Sequence, residues 1–560
     1  MCGRFYIWFL VLVIPPWMIE SWFVITDSLA VSWFYSSGYT YAITSLVITL
    51  LIVFSVVSVS CFLVGIYRII FLYASSLFLF INSISTLVPA LFYEAPLRLG
   101  GVASIIESNA SESIEFVENL PYSISIFLLL YVIITVYAFI RLDLSNLSKV
   151  RERSAYLMAF TGAVLCFIVV YLSPILVPND GAASNVIWRI INISDASPIL
   201  RLPVGYKFYR EEKEKLMQSL AHRGGEPFQV ASLGRGPDVI VLIQGESLRR
   251  DHLSIYGYDK QTTPNLGKII DSLYIARKAI AAAPLTYLSI PKIYSMATVL
   301  KPDLFYERPS IVSIAKKAGY KTYWVSNQGP LGGPDKPATY IAHESDVINF
   351  INTHGQTNKK DMDLVPLFKK YLSEKDPKKF IVLHIMGSHP TFNRRYDGTY
   401  SVFTSKDYPE LDLPENRKKI VSEYDNTVIY TDYFISTIIN ILKESRKSSW
   451  VGFLSDHGLM LFDDGAVFGH KDGSKEQYEI PFFYWVNNWD ISKIPGKSFT
   501  INLDKPFISE NLFYTMLSVL DVVIPEYNER YDFLSNKYES PDLDNLYVSD
   551  SDGTPIKFPD

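Results

Sequence analysis

The sequence predicts two unlike parts: an α-helical membrane part with five spans, and an α/β soluble domain on a central, mostly parallel sheet. The first observation is a split in charge. Residues 1–178 hold 16 Asp, Glu, Lys and Arg, about 9%, whereas the other 382 hold 93, about 24%. The second is a change of pattern after Asp238, where short apolar runs alternate with charged helical stretches. A composition of 49% hydrophobic and 14% aromatic residues excludes a disordered chain, and a net charge of -5 gives no reason to expect a nucleic-acid binder.

The membrane part comes first, in residues 1–178. Four apolar stretches, near Tyr41–Tyr67, Ile69–Phe92, Pro121–Ile140 and Tyr156–Val177, each reach the roughly 20 residues a bilayer requires. A fifth, near Phe5–Ile25, is interrupted by Pro15-Pro16 and Glu20. Pro-Pro-Trp rather than small residues follows its first apolar run, which favours an uncleaved anchor over a signal peptide. Arg68 falls in a short link, and Arg141, Lys149, Arg151 and Arg153 fall in one loop. The loop before Pro121 instead carries Glu107, Glu112, Glu115 and Glu118, with Arg98 as its only base. The excess of bases marks the cytoplasmic side, so five spans leave the soluble part outside the cytoplasm.

Residues 179–235 read as a connector at the membrane surface, and 236–560 as the soluble domain. Cys2, Cys61 and Cys166 all lie in the membrane part, so the soluble domain has no disulfide and holds together by core burial. Its apolar runs are Val239–Ile243, Thr322–Val325, Phe380–His384, Trp450–Leu454 and Pro481–Val486. Consecutive apolar positions are expected of strands buried on both faces, and ligands bind beyond the carboxyl ends of such strands.

Those ends carry the chemistry. One run leads into Gly245-Glu246-Ser247, another into His384 and Gly387-Ser388-His389, and a third into Ser455-Asp456-His457-Gly458; His470 follows shortly. Four of the eight His sit there. A carboxylate, an Asp-His pair and two further His at one sheet edge define a candidate metal site. Oxygen and imidazole donors without thiolate fit Zn²⁺, and fit Mn²⁺ less well because it prefers more oxygens.

Gly245-Glu246-Ser247-Leu248-Arg249-Arg250-Asp251-His252-Leu253-Ser254-Ile255-Tyr256-Gly257-Tyr258, then Thr262-Thr263-Pro264-Asn265-Leu266, resembles the membrane phosphoethanolamine transferases, which have a sulfatase/alkaline-phosphatase-like fold. The resemblance continues through His384–Pro390 and Ser455–Gly458, and includes the five-span anchor; its form is closer to the branch that modifies lipopolysaccharide core sugars. It implies that Glu246, Asp456 and His457 bind a catalytic Zn²⁺, with Thr286 as both fourth ligand and nucleophile. It also implies that His389 and His470 hold substrate phosphate or a second metal ion, and that His384 stands behind the site. The loop Ser104–Glu112 resembles a family loop in which an Asn, a Thr and a Glu help hold the phosphoethanolamine head group; Ser104 stands for the Asn and Ser108 for the Thr, while Glu112 matches. The implied reaction moves phosphoethanolamine from phosphatidylethanolamine to lipid A, a core sugar or a periplasmic glucan through a covalent threonine intermediate. The implied location is a bacterial inner membrane, multi-pass, with a periplasmic catalytic domain; a monomer is expected.

This sequence departs from the family pattern in lacking disulfides, and in reading Leu459-Met460-Leu461-Phe462-Asp463-Asp464 and His470-Lys471 where Glu-Ser-Leu-Gly-Glu and His-Gly are common. Ser247 and Ser289 are competing hydroxyls. Asp251 with Arg249-Arg250 reads as local ion pairing, and His252, His343 and His354 as structural; His222 has no evident role. A glycerophosphate transferase of the lipoteichoic-acid-synthase type is the rival activity, separable by its phosphatidylglycerol donor. A sulfatase needs a Cys/Ser-x-Pro-x-Arg segment, which is absent, and a non-catalytic scaffold has no use for an intact metal set. The charge asymmetry predicts that a C-terminal alkaline phosphatase fusion is active in cells. An inactive fusion beside an active cytoplasmic reporter at the same site reverses the topology.

Overall fold

The computed structural model describes residues 2–26, 65–93, 122–140, 228–328, 337–352, 359–465, 467–471 and 473–559, with scattered positions between 45 and 63, 102 and 120, and 202 and 214. The described residues divide into two units, one up to Arg210 and one from Glu211.

The N-terminal unit contains helices α1 (Cys2–Thr26), α2 (Gly65–Tyr93) and α3 (Tyr122–Ile140). α1 runs through Pro15-Pro16. Pro16 has no N–H, so the Leu12 carbonyl one turn earlier lacks its helical donor. Ser83 Oγ of α2 and Tyr131 OH of α3 both donate to it, each at 2.7 Å. The proline pair thus supplies an acceptor that ties three helices together, in surroundings where an unsatisfied carbonyl is costly. Trp8, Phe9, Leu12 and Val13 pack there with Val53, Val57, Leu72 and Leu79.

Among the described residues one helical stretch, Ile66–Val88, is long and apolar enough to cross a membrane; Trp8–Trp22 and Tyr122–Tyr137 are shorter. Only 33% of that stretch is buried, and Ile66, Tyr67, Ile70, Leu77 and Ile81 are exposed. Such an apolar surface suits lipid rather than water. Of the five expected spans, this stretch meets the length and composition of a crossing among the described residues. Arg68, expected in a link, lies in the first turn of α2 and donates from Nε to the Leu63 carbonyl. The stretch Tyr156–Val177, the basic loop Arg141–Arg153 and most of the connector lie outside the described residues.

The C-terminal unit is built on eight strands: β1 (Val239–Gly245), β2 (Leu273–Ile280), β3 (Lys321–Ser326), β4 (Val347–Phe350), β5 (Lys379–His384), β6 (Ser449–Ser455), β7 (Glu479–Asn487) and β8 (Pro506–Ile508). Their order is β8-β2-β7-β6-β1-β5-β3-β4. The pairings from β6 to β4 are parallel, as is β8 with β2, whereas β7 runs antiparallel to both its neighbours. The sheet is thus mixed, and the expected run Pro481–Val486 is its reversed strand.

Alternation along the central strands feeds two cores. Ile240, Leu242, Trp324, Val382 and Leu454 face one layer, with α4 (Thr286–Tyr294) and α7 (Leu512–Leu520). Val239, Val241, Ile243, Val325, Ile381 and Leu383 face the other, with α5 (Val365–Ser373) and α6 (Glu415–Ser445).

α6 also clamps the segment that follows β1. Asp425 accepts from Tyr258 OH (2.9 Å) and Tyr408 OH and pairs with His252 Nδ1 (2.6 Å). Asp432 accepts from the backbone N–H groups of Asn265 and Leu266. Tyr424 OH donates to the Ser247 carbonyl (3.0 Å) and accepts from the Arg249 N–H (2.8 Å). Replacing that hydroxyl strands two buried backbone groups, so Tyr424→Phe is expected to cost about 1–3 kcal/mol. A lowered thermal midpoint of the detergent-solubilised protein checks this; an unchanged midpoint contradicts it.

Candidate metal and catalytic site

Parallel neighbours in register end at the same level. Gly245 of β1 is paired with Ser455 of β6, and Gln244 with His384 of β5. The residues that follow these three ends therefore emerge side by side. Glu246, Asp456 and His457, all buried, bring one ligand atom each to within 4.8 Å of one another. His457 Nε2 lies 3.5 Å from Glu246 Oε1 and 3.4 Å from Asp456 Oδ2. His457 Nδ1 is 2.7 Å from the Gly458 carbonyl, which can only accept. That bond places the proton on Nδ1 and leaves the Nε2 lone pair facing the cluster.

Thr286 opens α4 and stands half-buried over the same point. Its Oγ1 is 3.1 Å from Glu246 Oε2 and 3.2 Å from His457 Nε2. All four residues implied by the resemblance are thus together. The positive end of a helix favours an anion at this position.

The carboxylates are held by neighbours that the sequence did not single out for this role. Ser247 Oγ donates to Glu246 Oε1 (2.7 Å), and its backbone N–H donates to Asp456 Oδ1 (3.0 Å). Ser247 adopts a left-handed φ of 53°, uncommon for a residue with a side chain and a form of strain that collects at functional sites. Gln328 Nε2 donates to Glu246 Oε2 (2.9 Å). Gln328 lies just past β3, a strand end as legible as the others but without a charged or imidazole side chain to mark it. Gly458 is required by space, because a Cβ there would meet the Glu476 carbonyl at 2.2 Å.

Burial works to raise Glu246, but His457, His389 and the hydrogen bonds from Ser247 and Gln328 outweigh it and hold this carboxyl low. Burial and the adjacent Glu246 charge push Asp456 the other way, up to about 7, against His457 and Thr286. Asp456 Oδ2 is buried without a hydrogen-bond partner of standard geometry. Among the described residues, neither carboxylate is paired with Lys or Arg. A buried pair of carboxylates with one orphaned oxygen and an imidazole lone pair fits a divalent cation, and the oxygen and nitrogen donors fit zinc.

His470 packs edge-on against His457 at 5.2 Å between ring centroids, and its Nδ1 pairs with Gln477 Oε1 at 3.0 Å. His389 is half-buried at the rim, with Nδ1 2.8 Å from the Pro390 carbonyl. His384 is buried near Ser326 Oγ (3.2 Å) and edge-on to Trp324. Ser289 Oγ donates to the Asp456 carbonyl (2.7 Å). His252 pairs with Asp425, and His343 Nδ1 is 2.7 Å from the Thr339 carbonyl within its own helix. The expected local ion pairing is only part of the picture. Arg249 does bind Asp251 (2.6 Å), but it also reaches Asp463 (2.7 Å), while Arg250 binds Glu479 (2.8 Å). Ser104, Ser108, Glu112, His222 and His354 lie outside the described residues.

The C-terminal unit thus combines a mixed sheet between two helical layers with an acid–imidazole cluster beyond its central strand ends. Residues 238–522 match the sulfatase family, just over half of the chain, and the protein belongs to that family. Among curated relatives, phosphoethanolamine transferase EptC of Escherichia coli is 26% identical over 381 residues, covering 62% of this chain and 65% of that protein. This chain therefore spans slightly less than two thirds of that relative's length. Phosphoethanolamine transferase EptA of Helicobacter pylori is 25% identical over 464 residues, 80% of this chain and 82% of that protein. Among solved structures, the integral membrane lipooligosaccharide phosphoethanolamine transferase A of Neisseria meningitidis superposes with a TM-score of 0.69 at 18% identity, over 95% of this chain and 98% of that one. The C-terminal periplasmic domain of EcEptC from Escherichia coli, in complex with Zn, gives 0.54 at 22% identity, over 60% of this chain and 96% of that one.

Removing a ligand should empty the cluster. Asp456→Asn and His457→Ala are each expected to lose most bound zinc by atomic spectroscopy, and unchanged zinc in both sinks the assignment. Because protons compete with a cation at the raised Asp456, the apparent zinc affinity of the unaltered protein is expected to weaken as pH drops below about 7, as a competition titration with a zinc chelator checks.

Proposed function

We propose that this protein is a zinc-dependent phosphoethanolamine transferase. It carries the group from phosphatidylethanolamine to a lipopolysaccharide acceptor, a core sugar or lipid A, through a covalent threonine intermediate. One observation carries the reading: the Thr286 hydroxyl lies 3.1 Å from Glu246 and 3.2 Å from His457 at the start of a helix. A site with only water to activate would have no use for a hydroxyl fixed there. The names of the relatives, and the zinc complex of one of them, support the same chemistry.

Glu246, Asp456, His457 and Thr286 would hold the ion. When bound, Zn²⁺ lowers the pKa of a hydroxyl beside it and offsets negative charge developing at phosphorus. The chain supplies the rest. Thr286 Oγ1 forms a bond to phosphorus, the bond from phosphorus to the diacylglycerol oxygen breaks, and a phosphoethanolamine–threonine diester remains. The Thr286 proton ends on the released diacylglycerol. An acceptor hydroxyl or phosphate then takes the group, and any proton it gives up restores Thr286. His389 and His470, at the rim, carry these protons and hold the phosphate oxygens. Glu112, Ser108 and Ser104 would receive the ammonium head group, where a carboxylate suits a cation. The setting is a bacterial inner membrane, with several spans, a periplasmic catalytic domain and a monomeric protein.

Thr286→Ala is expected to fold, retain part of its zinc and transfer nothing, while Thr286→Ser keeps partial activity. If Thr286 served only as a helix start, the alanine change would cost on the order of 1 kcal/mol and spare activity. Incubating the purified protein with phosphatidylethanolamine and no acceptor, then mapping the added mass by peptide mass spectrometry, checks this. An adduct on Ser247 or Ser289, or transfer by Thr286→Ala, overturns the mechanism. Loading from phosphatidylglycerol instead selects glycerophosphate transfer.

A further inference from the structure

Asp361 is a buried carboxylate, 1% exposed, that belongs to no ligand set. It lies at the start of the turn Asp361–Leu364 that leads into α5. Three N–H groups converge on it. Met386 N–H donates to Oδ1 (2.8 Å) and Gly387 N–H to Oδ2 (3.0 Å), so both oxygens grip the turn between β5 and His389. The third donor is Asn327 Nδ2, also to Oδ1, at 2.7 Å. Asn352 Nδ2 in turn donates to the Asn327 carbonyl and side-chain oxygen, at 2.6 and 2.9 Å. One carboxylate therefore fixes the ends of two neighbouring strands, β5 and β3.

What those ends present gives the arrangement its meaning. Gly387 has a φ of +50° and packs so closely on Glu246 that a Cβ would meet its carbonyl oxygen at 3.0 Å and its nitrogen at 3.2 Å. Ser388 N–H donates to the Glu246 carbonyl (3.0 Å), and His389 follows at once. On the other side, Asn327 immediately precedes Gln328, whose amide donates to Glu246 Oε2. Arg395 Nε closes the loop by donating to the His389 carbonyl (2.9 Å).

We propose that Asp361 is a positioning residue for this site, setting His389 against Glu246 through the Met386–Gly387 turn. Two backbone N–H donors on two carboxylate oxygens fix both the place and the direction of a short turn, as a bidentate clamp does. Asp361→Asn keeps the size of the side chain but turns one acceptor into a donor. That amide faces the Met386, Gly387 or Asn327 N–H and cannot satisfy all three. The turn then loosens while the core around it stays filled.

The inference rests on the proposed transferase reading only for its kinetic arm, so the test has two. In the first, full-length protein is treated with diethyl pyrocarbonate and carbethoxylation is mapped by peptide mass spectrometry. Asp361→Asn is expected to raise the His389 reaction rate several-fold, while exposed His343 reacts as before. An unchanged His389 rate overturns the proposal, and an equal rise at both His shows general loosening and overturns it too. In the second, the rate of Thr286 loading from phosphatidylethanolamine micelles is measured in a double-mutant cycle. Asp361→Asn is expected to slow loading about tenfold, His389→Ala to slow it at least as much, and the double variant to be no slower than His389→Ala. Full additivity, or a silent Asp361→Asn beside an impaired His389→Ala, overturns the proposal. Absence of Thr286 loading in the unaltered protein, with the His389 rate still raised in Asp361→Asn, removes the transferase reading and leaves the positioning role standing.

Discussion

Two carboxylates and an imidazole crowd one point beyond β1 and β6, and much of the C-terminal unit follows from that crowding. At separations of this order, two like charges repel by about 4 kcal/mol at an effective dielectric of about 20. Desolvation adds to the cost, because Glu246 and Asp456 are both almost fully buried. A chain can tolerate this arrangement with enough directed hydrogen bonds and a cation to share. The first is provided by Ser247 and Gln328 on Glu246, and by the Ser247 and His457 N–H groups on Asp456. The opposed shifts of the two acids express the same tension: one proton is retained more readily than the other. A divalent ion removes the conflict, which is why the donor chemistry, and not residue type alone, argues for a metal.

Most of the long run after Glu246 works as scaffold. Of the residues from Ser247 to Leu266, those with the strongest partners face α6 or the neighbouring loops. Tyr424 holds the backbone of Ser247 and Arg249, Asp425 gathers His252 and Tyr258, and Asp432 holds Asn265 and Leu266. Arg249, 3% exposed, joins this run to Asp463 in the loop that leads to His470. The run thus fixes where Glu246 stands relative to the other strand ends. A segment can be diagnostic of a family while only one of its residues touches the chemistry.

This explains which parts were legible in the sequence. Strand ends bearing Glu246, His384, His389, Asp456 and His457 could be read, because a charged or imidazole side chain at the end of an apolar run is unusual and parallel register brings such ends together. Gln328 and Asp361 escaped because an amide after one strand and an acid in a polar loop look ordinary until tertiary contacts show what they hold. β2 was missed because Arg277 and Lys278 interrupt its apolar pattern, and both are exposed. β7 was read as a strand, but apolar runs carry no direction, so its reversal was invisible. The break expected at Arg68 falls a few residues earlier, at Leu63, and Arg68 stands in the first turn of α2. A single base near a helix end can reach a carbonyl beyond it, here that of Leu63, without ending the helix.

Three hydroxyls surround the cluster, and their bonds separate them. Ser289, fully buried, donates to a carbonyl oxygen of the backbone, and moving it would release the turn that carries Asp456. Ser247 is bound through its Oγ to Glu246, and its strained backbone serves to aim its N–H at Asp456. Either serine would have to abandon a structural bond in order to attack. Thr286 alone of the three approaches both Glu246 and His457 through its oxygen, from the half-exposed first turn of a helix where a substrate can reach it. Its β-branch also limits χ1, so the oxygen is held with little rotational freedom to lose. The proposal of Thr286 as nucleophile thus rests on what each oxygen is already doing, and the sequence resemblance implies the same residue.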